Sequence, residues 1–339
     1  MYKLGNRILH AGNKLVYSFG IGSDYVYKKH ITIDNTKVEG TNDLTSFPVY
    51  FHLTGITTNN ANGYDILFTD NNLIPLKHEI ESYSNGTLDV WVNIPILYAT
   101  IDTKLYLFYY NVNITTDTSS TDVWTSDYKA IYHLNNNNFS DSTINANTLS
   151  NLSTTNYATG KIAGARDFNM LSSQYMRKLS ASGIAAGNVM TLSAWARHDS
   201  TMSVRNILVV SDEVNNKAFN MMFRNTYGFG LWMFGGDMVL PSYIFPSINE
   251  WHYYVATFDG ANCGLYIDGE EVAYGAAQQT IQTGTWKEIV VGAYYDGGGG
   301  EYWDGQIDEP RFSQIVKSAD WIKTEYNNQN SPHTFYTIS

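Results

Sequence analysis

The sequence predicts an all-β protein, two β-sandwich domains in series behind a short N-terminal β-arm. Three observations carry that prediction. The 339 residues include 26 Tyr, 15 Phe and 8 Trp, side chains that pack well on a pleated surface. Short alternating runs recur, each bounded by turn residues. The stretch Trp251 to Val272 (WHYYVATFDGANCGLYIDGEEV) reads as two neighbouring strands whose Asp268-Gly269 pair turns into a third. Asp-Gly suits a primed two-residue turn, which needs φ > 0 at both central positions. Trp251, Tyr253, Val255 and Thr257 fall on one side of the first strand, and His252, Tyr254, Ala256 and Phe258 on the other. Bulk on both sides marks a central strand covered on both faces.

Composition narrows the function classes. A hydrophobic share of 43% supplies real cores, and a formal charge of −11 argues against a sequence-independent grip on nucleic acid or anionic lipid. Cys263 is the only cysteine, so no disulfide joins two parts of the chain; at the head of an apolar strand it reads as a buried, inert thiol. No window approaches the roughly 18 apolar residues of a membrane span. The N-terminus lacks the apolar core and small-residue cleavage site of a signal peptide.

Residues 1–25 form the arm. Gly5-Asn6-Arg7-Ile8-Leu9 recurs as Gly12-Asn13-Lys14-Leu15-Val16, which suggests turn-strand, turn-strand. Two such units bury no core alone, so the arm pads its own domain or docks on a partner subunit. Its Gly-Asn-rich pattern resembles the opening segments of phage tail and capsid accessory proteins.

Residues 26–113 are strand-like throughout. YKKHITIDN, LTSFPVYFHLTG, GYDILFTDNNLIPLKHEIESYSNGTLDVWVNIP and LYLFYYN follow in order. They resemble a bacterial and phage β-domain family of unassigned function, which commonly precedes a laminin-G-like module. Within KHEIES, Glu79 and Glu81 share one strand face and His78 takes the other, an arrangement unlike the opposed carboxylates of a glycosidase. Residues 114–127 read as a linker anchored by Trp124, and 331–339 as a tail.

The second domain, 128–330, opens with Tyr128-Lys129-Ala130-Ile131-Tyr132-His133-Leu134. It continues through Gly160–Phe168, Met190–Ala196, the Trp251–Val272 hairpin, Ile289–Ala293 and Gly305–Phe312. In this order the runs resemble the laminin-G-like, concanavalin A-like jelly-roll family, which implies two packed antiparallel sheets with loops gathered at their ends. Ser318–Tyr326 is the one clear helix, with Ser318 as cap and Trp321, Ile322 and Tyr326 as its apolar stripe.

Candidate chemistry is sparse. No E-x-D-x-x-E strand, G-x-S-x-G elbow, H-E-x-x-H helix or phosphate loop is present, and Asp308 and Glu309 should point to opposite faces, so catalysis is not expected. The family resemblance implies a structural Ca2+ held by Asp141 and Asp308; a turn closed by Asx hydrogen bonds at Asp141 is the alternative. For a ligand, the stretch with Tyr294, Tyr295, Asp296, Glu301, Tyr302 and Trp303 offers rings for sugar faces and carboxylates for hydroxyls. Tyr227–Phe234, alternating small and large residues, reads instead as core strand.

The expectation is a non-catalytic adhesion or display protein. The leading setting is a phage virion surface, as a capsid decoration, head-fibre or tail-fibre component. Its partners would be other virion proteins or its own copies, met through the arm in a homo-oligomer, and a cell-surface glycan, with no nucleic acid and no membrane. A bacterial cell-surface carbohydrate-binding protein is the alternative, and a cryptic glycoside-active enzyme the third reading.

Overall fold

The computed structural model describes residues 24–200, 204–212, 218–233, 238–278, 287–294 and 300–339, and the backbone of 8–11 and 14–17. The chain divides into two units. The first comprises 1–36, 41–123 and 331–339, and the second 37–40 and 124–330. The stretch read as a linker, 114–127, is thus shared between them.

In the first unit, β1 (Ile8–Ala11) and β2 (Lys14–Tyr17) form an antiparallel hairpin that is a sheet by itself, the ribbon expected of the arm. Then follow β3 (Tyr27–Ile33), β4 (Leu44–Leu53), β5 (Ile66–Asp70), β6 (His78–Ser84), β7 (Thr87–Leu97) and β8 (Thr103–Tyr109). Strands β4, β7 and β6 make one sheet, while β3, β8 and β5 lie in another. Alternation sets the core. Phe47, Val49, Phe51 and Leu53 of β4 and Leu88, Val90, Val92 and Ile94 of β7 are all buried, and Phe51 stacks on Phe68 of β5 across the sheets, 5.9 Å between ring centroids.

The second face of the β4–β7–β6 sheet carries a polar knot. Asp89 accepts hydrogen bonds from Tyr50 Oη (2.6 Å) and Ser82 Oγ (2.8 Å), and lies 2.7 Å from His52 Nδ1. The strict alternation read for KHEIES breaks here. The register shifts between Ile80 and Ser82, so Glu81 falls in a bulge, and its carboxylate accepts the Trp91 indole N–H at 2.8 Å. A bulge inserts one unpaired residue and changes which face the next side chains take.

The second unit contains β9 (Tyr128–Ile131), β10 (Ser150–Leu152), β11 (Thr155–Tyr157), β12 (Ala165–Phe168), β13 (Tyr175–Leu179), β14 (Met190–His198), β15 (Arg205–Ser211), β16 (Ala218–Arg224), β17 (Gly228–Trp232), β18 (Met238–Pro241), β19 (His252–Phe258), β20 (Asn262–Ile267), β21 (Glu270–Ala276), β22 (Glu288–Val291) and β23 (Gly305–Ser313). A seven-stranded sheet runs β10-β13-β22-β15-β16-β17-β18. An eight-stranded sheet runs β11-β12-β23-β14-β19-β20-β21, with β9 also on β23. This is the sandwich expected for 128–330. Its core holds Phe168, Leu192, Ala194, Phe219, Met221, Phe223, Tyr254, Ala256 and Phe258 among others.

The Trp251–Val272 stretch forms β19, β20 and the start of β21 as read. Asp268 and Gly269 have φ of 54° and 78°, the two positive values a primed turn needs. Tyr254, Ala256 and Phe258 enter the core, while Tyr253 and Val255 face outward. That outer face is covered by α1 (Ala319–Asn330) through Ile322 and Tyr326, with Trp195 stacked on Tyr326 at 5.7 Å. Ser318 Oγ accepts the Trp321 N–H at 3.2 Å, closing the helix start as expected. Beneath the helix, Arg311 donates to Glu325 and Glu309 at 2.6 and 2.7 Å, all three side chains buried.

The last residues correct the reading of 331–339 as a tail. After α2 (Pro332–Phe335), β24 (Tyr336–Ile338) pairs with β3 (Tyr336↔Ile33, Ile338↔Ile31) and completes the four-stranded sheet β24-β3-β8-β5 of the first unit. Ile31 and Ile33 are fully buried, and Phe335 and Tyr336 join them in that interior. Three residues at a chain end give too short a pattern for periodicity to register.

Candidate ligand-binding face

The site grows from the outer face of the seven-stranded sheet. Because Phe219, Met221 and Phe223 of β16 point into the core, Asn220, Met222 and Arg224 point outward. Cross-strand registers then place Arg177, Val290, Val209, Asn220 and Trp232 in one row across β13, β22, β15, β16 and β17. Val209, Val290 and Tyr175 form a small apolar cluster on this face, with Tyr302 packed against it.

Trp232 lies over Gly230. A Cβ at that glycine would sit 2.5 Å from the indole ring, so only glycine leaves room for the ring. Arg224 approaches the same ring, 5.9 Å from its centroid. Glu301 closes the arrangement: its Oε2 accepts from Asn206 Nδ2 at 2.9 Å and its Oε1 lies 3.7 Å from Arg224. Its carbonyl accepts the Asn206 N–H at 3.1 Å, with Glu301 at φ 56°. Arg224 and Glu301 keep part of their side chains in solvent. Asn220 is 0% exposed, yet neither end of its amide has a hydrogen-bond partner. Buried amides are normally satisfied by protein, water or ligand. On this face Arg224 and Glu301 are the groups within reach of solvent, while Trp232, Asn206 and Asn220 are buried beneath them and hold them in place.

The ligand residues read from sequence divide. Glu301 and Tyr302 lie on this face, Tyr302 half-buried and 6.1 Å from Tyr175. Tyr294 is half-buried beside them in sequence order, its N–H directed at the Gly300 carbonyl at 3.4 Å. Tyr295 and Asp296 lie outside the described residues. Trp303 is a correction. It is 0% exposed inside the core, against Phe223 and His198 at 6.2 and 5.9 Å, so no solution ligand can stack on it. Burial pushes the neighbouring His198 down to about 4, which keeps it neutral. Sequence reading missed Asn206, Asn220, Arg224 and Trp232. Trp232 belongs to a buried strand as expected and is itself 1% exposed, although it points away from the main core; the alternation of Phe229, Leu231 and Met233 with Gly230 and Trp232 was the available signal.

The two proposed calcium ligands have separate backbone duties. Asp141 Oδ1 accepts from the Ile131 and Thr143 N–H groups (3.1 and 2.9 Å), and Oδ2 from Thr143 Oγ1 and the Asn147 N–H (both 2.8 Å). This is the Asx-closed turn. Asp308 Oδ2 accepts the Ile162 N–H at 2.9 Å. Four donors already converge on Asp141, whereas a hard cation needs those lone pairs and several further oxygens. The donor set does not fit a metal there.

The family match agrees with this architecture. Residues 172–323, which lie within the second unit, match the family model described as the concanavalin A-like lectin/glucanases superfamily (Laminin_G_3). Among solved structures, domain 4 of AbnA, a GH43 extracellular arabinanase from Geobacillus stearothermophilus in complex with arabinotriose, is similar at 20% identity and a TM-score of 0.49. That match covers 59% of this chain and 98% of the domain. The binding domain of Paraclostridial Mosquitocidal Protein 1 is similar at 12% identity and a TM-score of 0.47, over 59% of this chain and 52% of its own. The receptor-binding domain of botulinum neurotoxin C/D mosaic serotype is similar at 13% identity and a TM-score of 0.44, over 60% and 51%. No curated protein sequence matches the chain. Among the described residues, no helix is long and apolar enough to cross a membrane.

Proposed function

We propose that the chain is a non-catalytic adhesion protein whose second unit binds glycan on the outer face of its seven-stranded sheet. The observation that carries the reading is the partly exposed Arg224–Glu301 pair with the half-buried ring of Tyr302 on the same face. Carbohydrate sites combine a ring with a few converging polar groups in this way. The superfamily match supports it, since lectins stand in that description. The test is a broad glycan array on the full chain, followed by titration calorimetry with Arg224→Ala and Glu301→Gln. Binding that is saturable and lost in both variants, with circular dichroism unchanged, supports the site. Silence across the array sinks it.

The setting proposed for this activity is a virion surface, with the N-terminal arm as the attachment segment. The two-stranded arm is the segment that would attach the chain in either setting. Mass spectrometry of purified particles decides: the chain is found in them, or it fractionates with cells and the virion reading falls.

A further inference from the structure

The first unit has a cleft at one end of its sandwich, and we infer that it receives the N-terminal arm of a second copy of this chain, so that copies join head to tail. The inference rests on the reading of the arm as an attachment segment and is independent of glycan binding. The cleft is about 350 Å³ and is walled by Leu76, Pro95, Ile96, Tyr98 and Ile101, with Asp70, Asp102 and Lys104 at its polar edge. Ile96 and Ile101 are 44% and 59% exposed, and the adjoining Ile74 60%. Clustered exposed aliphatics around a cleft mark a docking surface more than chance exposure does.

Three observations select the occupant. The arm is apolar along both strands (Ile8, Leu9, Leu15, Val16, Tyr17), and among the described residues its hairpin pairs with no third strand. A lone two-stranded hairpin is marginal in water and needs a surface to cover. Charge is complementary: residues 1–23 hold Lys3, Arg7 and Lys14 and no acidic residue, whereas residues 24–123 hold twelve Asp and Glu against five Lys and Arg. Such opposition steers encounter and fixes orientation.

Geometry supplies the third. The arm enters the sandwich at Tyr27, which pairs with Tyr109, whereas β3 ends at Ile33, paired with Thr103. Thr103, Lys104 and Leu105 line the cleft, and Leu105 pairs with Asp70. Entry point and cleft therefore lie at opposite ends of the strands, roughly 20 Å apart for six steps of about 3.3 Å. The arm thus joins the sandwich at the end away from its own cleft, where a neighbour's cleft can meet it. Unlike surfaces joined in this way close into a ring or continue as a chain of copies. The open edge of β5 is not the acceptor. Leu76 N–H already donates to the Phe68 carbonyl at 2.8 Å, and Asp70 N–H to the Ile74 carbonyl at 2.9 Å, so docking proceeds by side-chain packing.

Light scattering after size exclusion tests this on the full chain, on a variant lacking residues 1–23, and on Ile96→Glu/Ile101→Glu. The two substituted residues are exposed, so the fold persists, and circular dichroism checks it. The full chain should assemble with rising concentration, and each variant alone should be monomeric. Mixed, the two variants should give a 1:1 dimer and nothing larger, because one keeps only the cleft and the other only the arm. A monomeric full chain, an armless variant that still assembles, or no dimer on mixing would each overturn the proposal. Glycan binding by the monomeric variants is read separately, so loss of one activity does not decide the other.

Discussion

Tyr336 clasps the backbone of His52 in both directions. Its phenol oxygen accepts the His52 N–H at 3.0 Å and donates to the His52 carbonyl at 2.6 Å, while its ring meets Phe51 edge-on at 4.8 Å. One side chain near the C-terminus thus supplies the edge of β4 with the two partners that a neighbouring strand would have given. Tyr336→Phe leaves both backbone groups short of a partner. It should destabilise the first unit by about 1–3 kcal/mol, measured by urea unfolding followed at that unit's tryptophan, Trp91.

The His52–Asp89 pair in the same sheet predicts a pH dependence. The hydrogen bond to Asp89 raises His52 above its ordinary value. Burial alone would raise Asp89, but hydrogen bonds from His52, Tyr50 and Ser82 outweigh it and hold the carboxyl below its usual range. A raised histidine stabilises fully below its unfolded value of about 6.5, and that contribution fades as pH climbs through the folded value. A depressed carboxylate stabilises above about 3.9, and loses this as pH falls through its folded value. The Tm difference between wild type and His52→Ala should therefore be widest between these limits and shrink on both sides. A flat profile would show that the pair does not titrate with folding.

Trp303 and Tyr302 are adjacent in sequence but should behave oppositely. Trp303→Ala opens a core cavity, with an expected loss of about 3–5 kcal/mol. Tyr302→Ala trims a half-buried ring on the outer face and should leave Tm nearly unchanged while weakening glycan binding. Thermal melts with a binding titration on each variant separate the two roles.

Asp141 gives a prediction about metal. Since its carboxylate is filled by four protein donors, Asp141→Ala should lower Tm equally with calcium and with EDTA, and EDTA should leave wild type where it was. A calcium-dependent rise in wild-type Tm that Asp141→Ala abolishes would restore the cation site.

Arg311 sits between Glu309 and Glu325 with all three buried, and its charge is held firmly on by those two carboxylates. Arg311→Met leaves buried Glu309 with His133 and buried Glu325 with the Tyr253 hydroxyl but removes the guanidinium from both, a change that costs about 3–5 kcal/mol. Combining it with Glu309→Gln and Glu325→Gln should return part of that loss, as double-mutant analysis would show.

What the sequence made legible was local. Asp268-Gly269 and the alternation around it predict β19 to β21 because both signals are contained within a few residues, and Ser318 marks its helix for the same reason. Trp303 follows a glycine run and so reads as a loop-tip ring; its burial depends on Phe223 and His198, which are distant in sequence. Glu81 escapes because one bulge undoes the two-residue period. Arg224, Glu301, Asn206 and Trp232 meet only once β16 and β17 have paired and the chain between β22 and β23 has returned to them. No spacing along the chain announces such a meeting.

The pairing of β24 with β3 has a consequence for the order of synthesis. The first unit draws its strands from both sides of the second along the chain, since β3 precedes Lys37 and β24 follows Asn330. The four-stranded sheet of the first unit therefore cannot close until residues beyond the second unit have been made. Until β24 arrives, Ile31 and Ile33 lack the strand that pairs beside them.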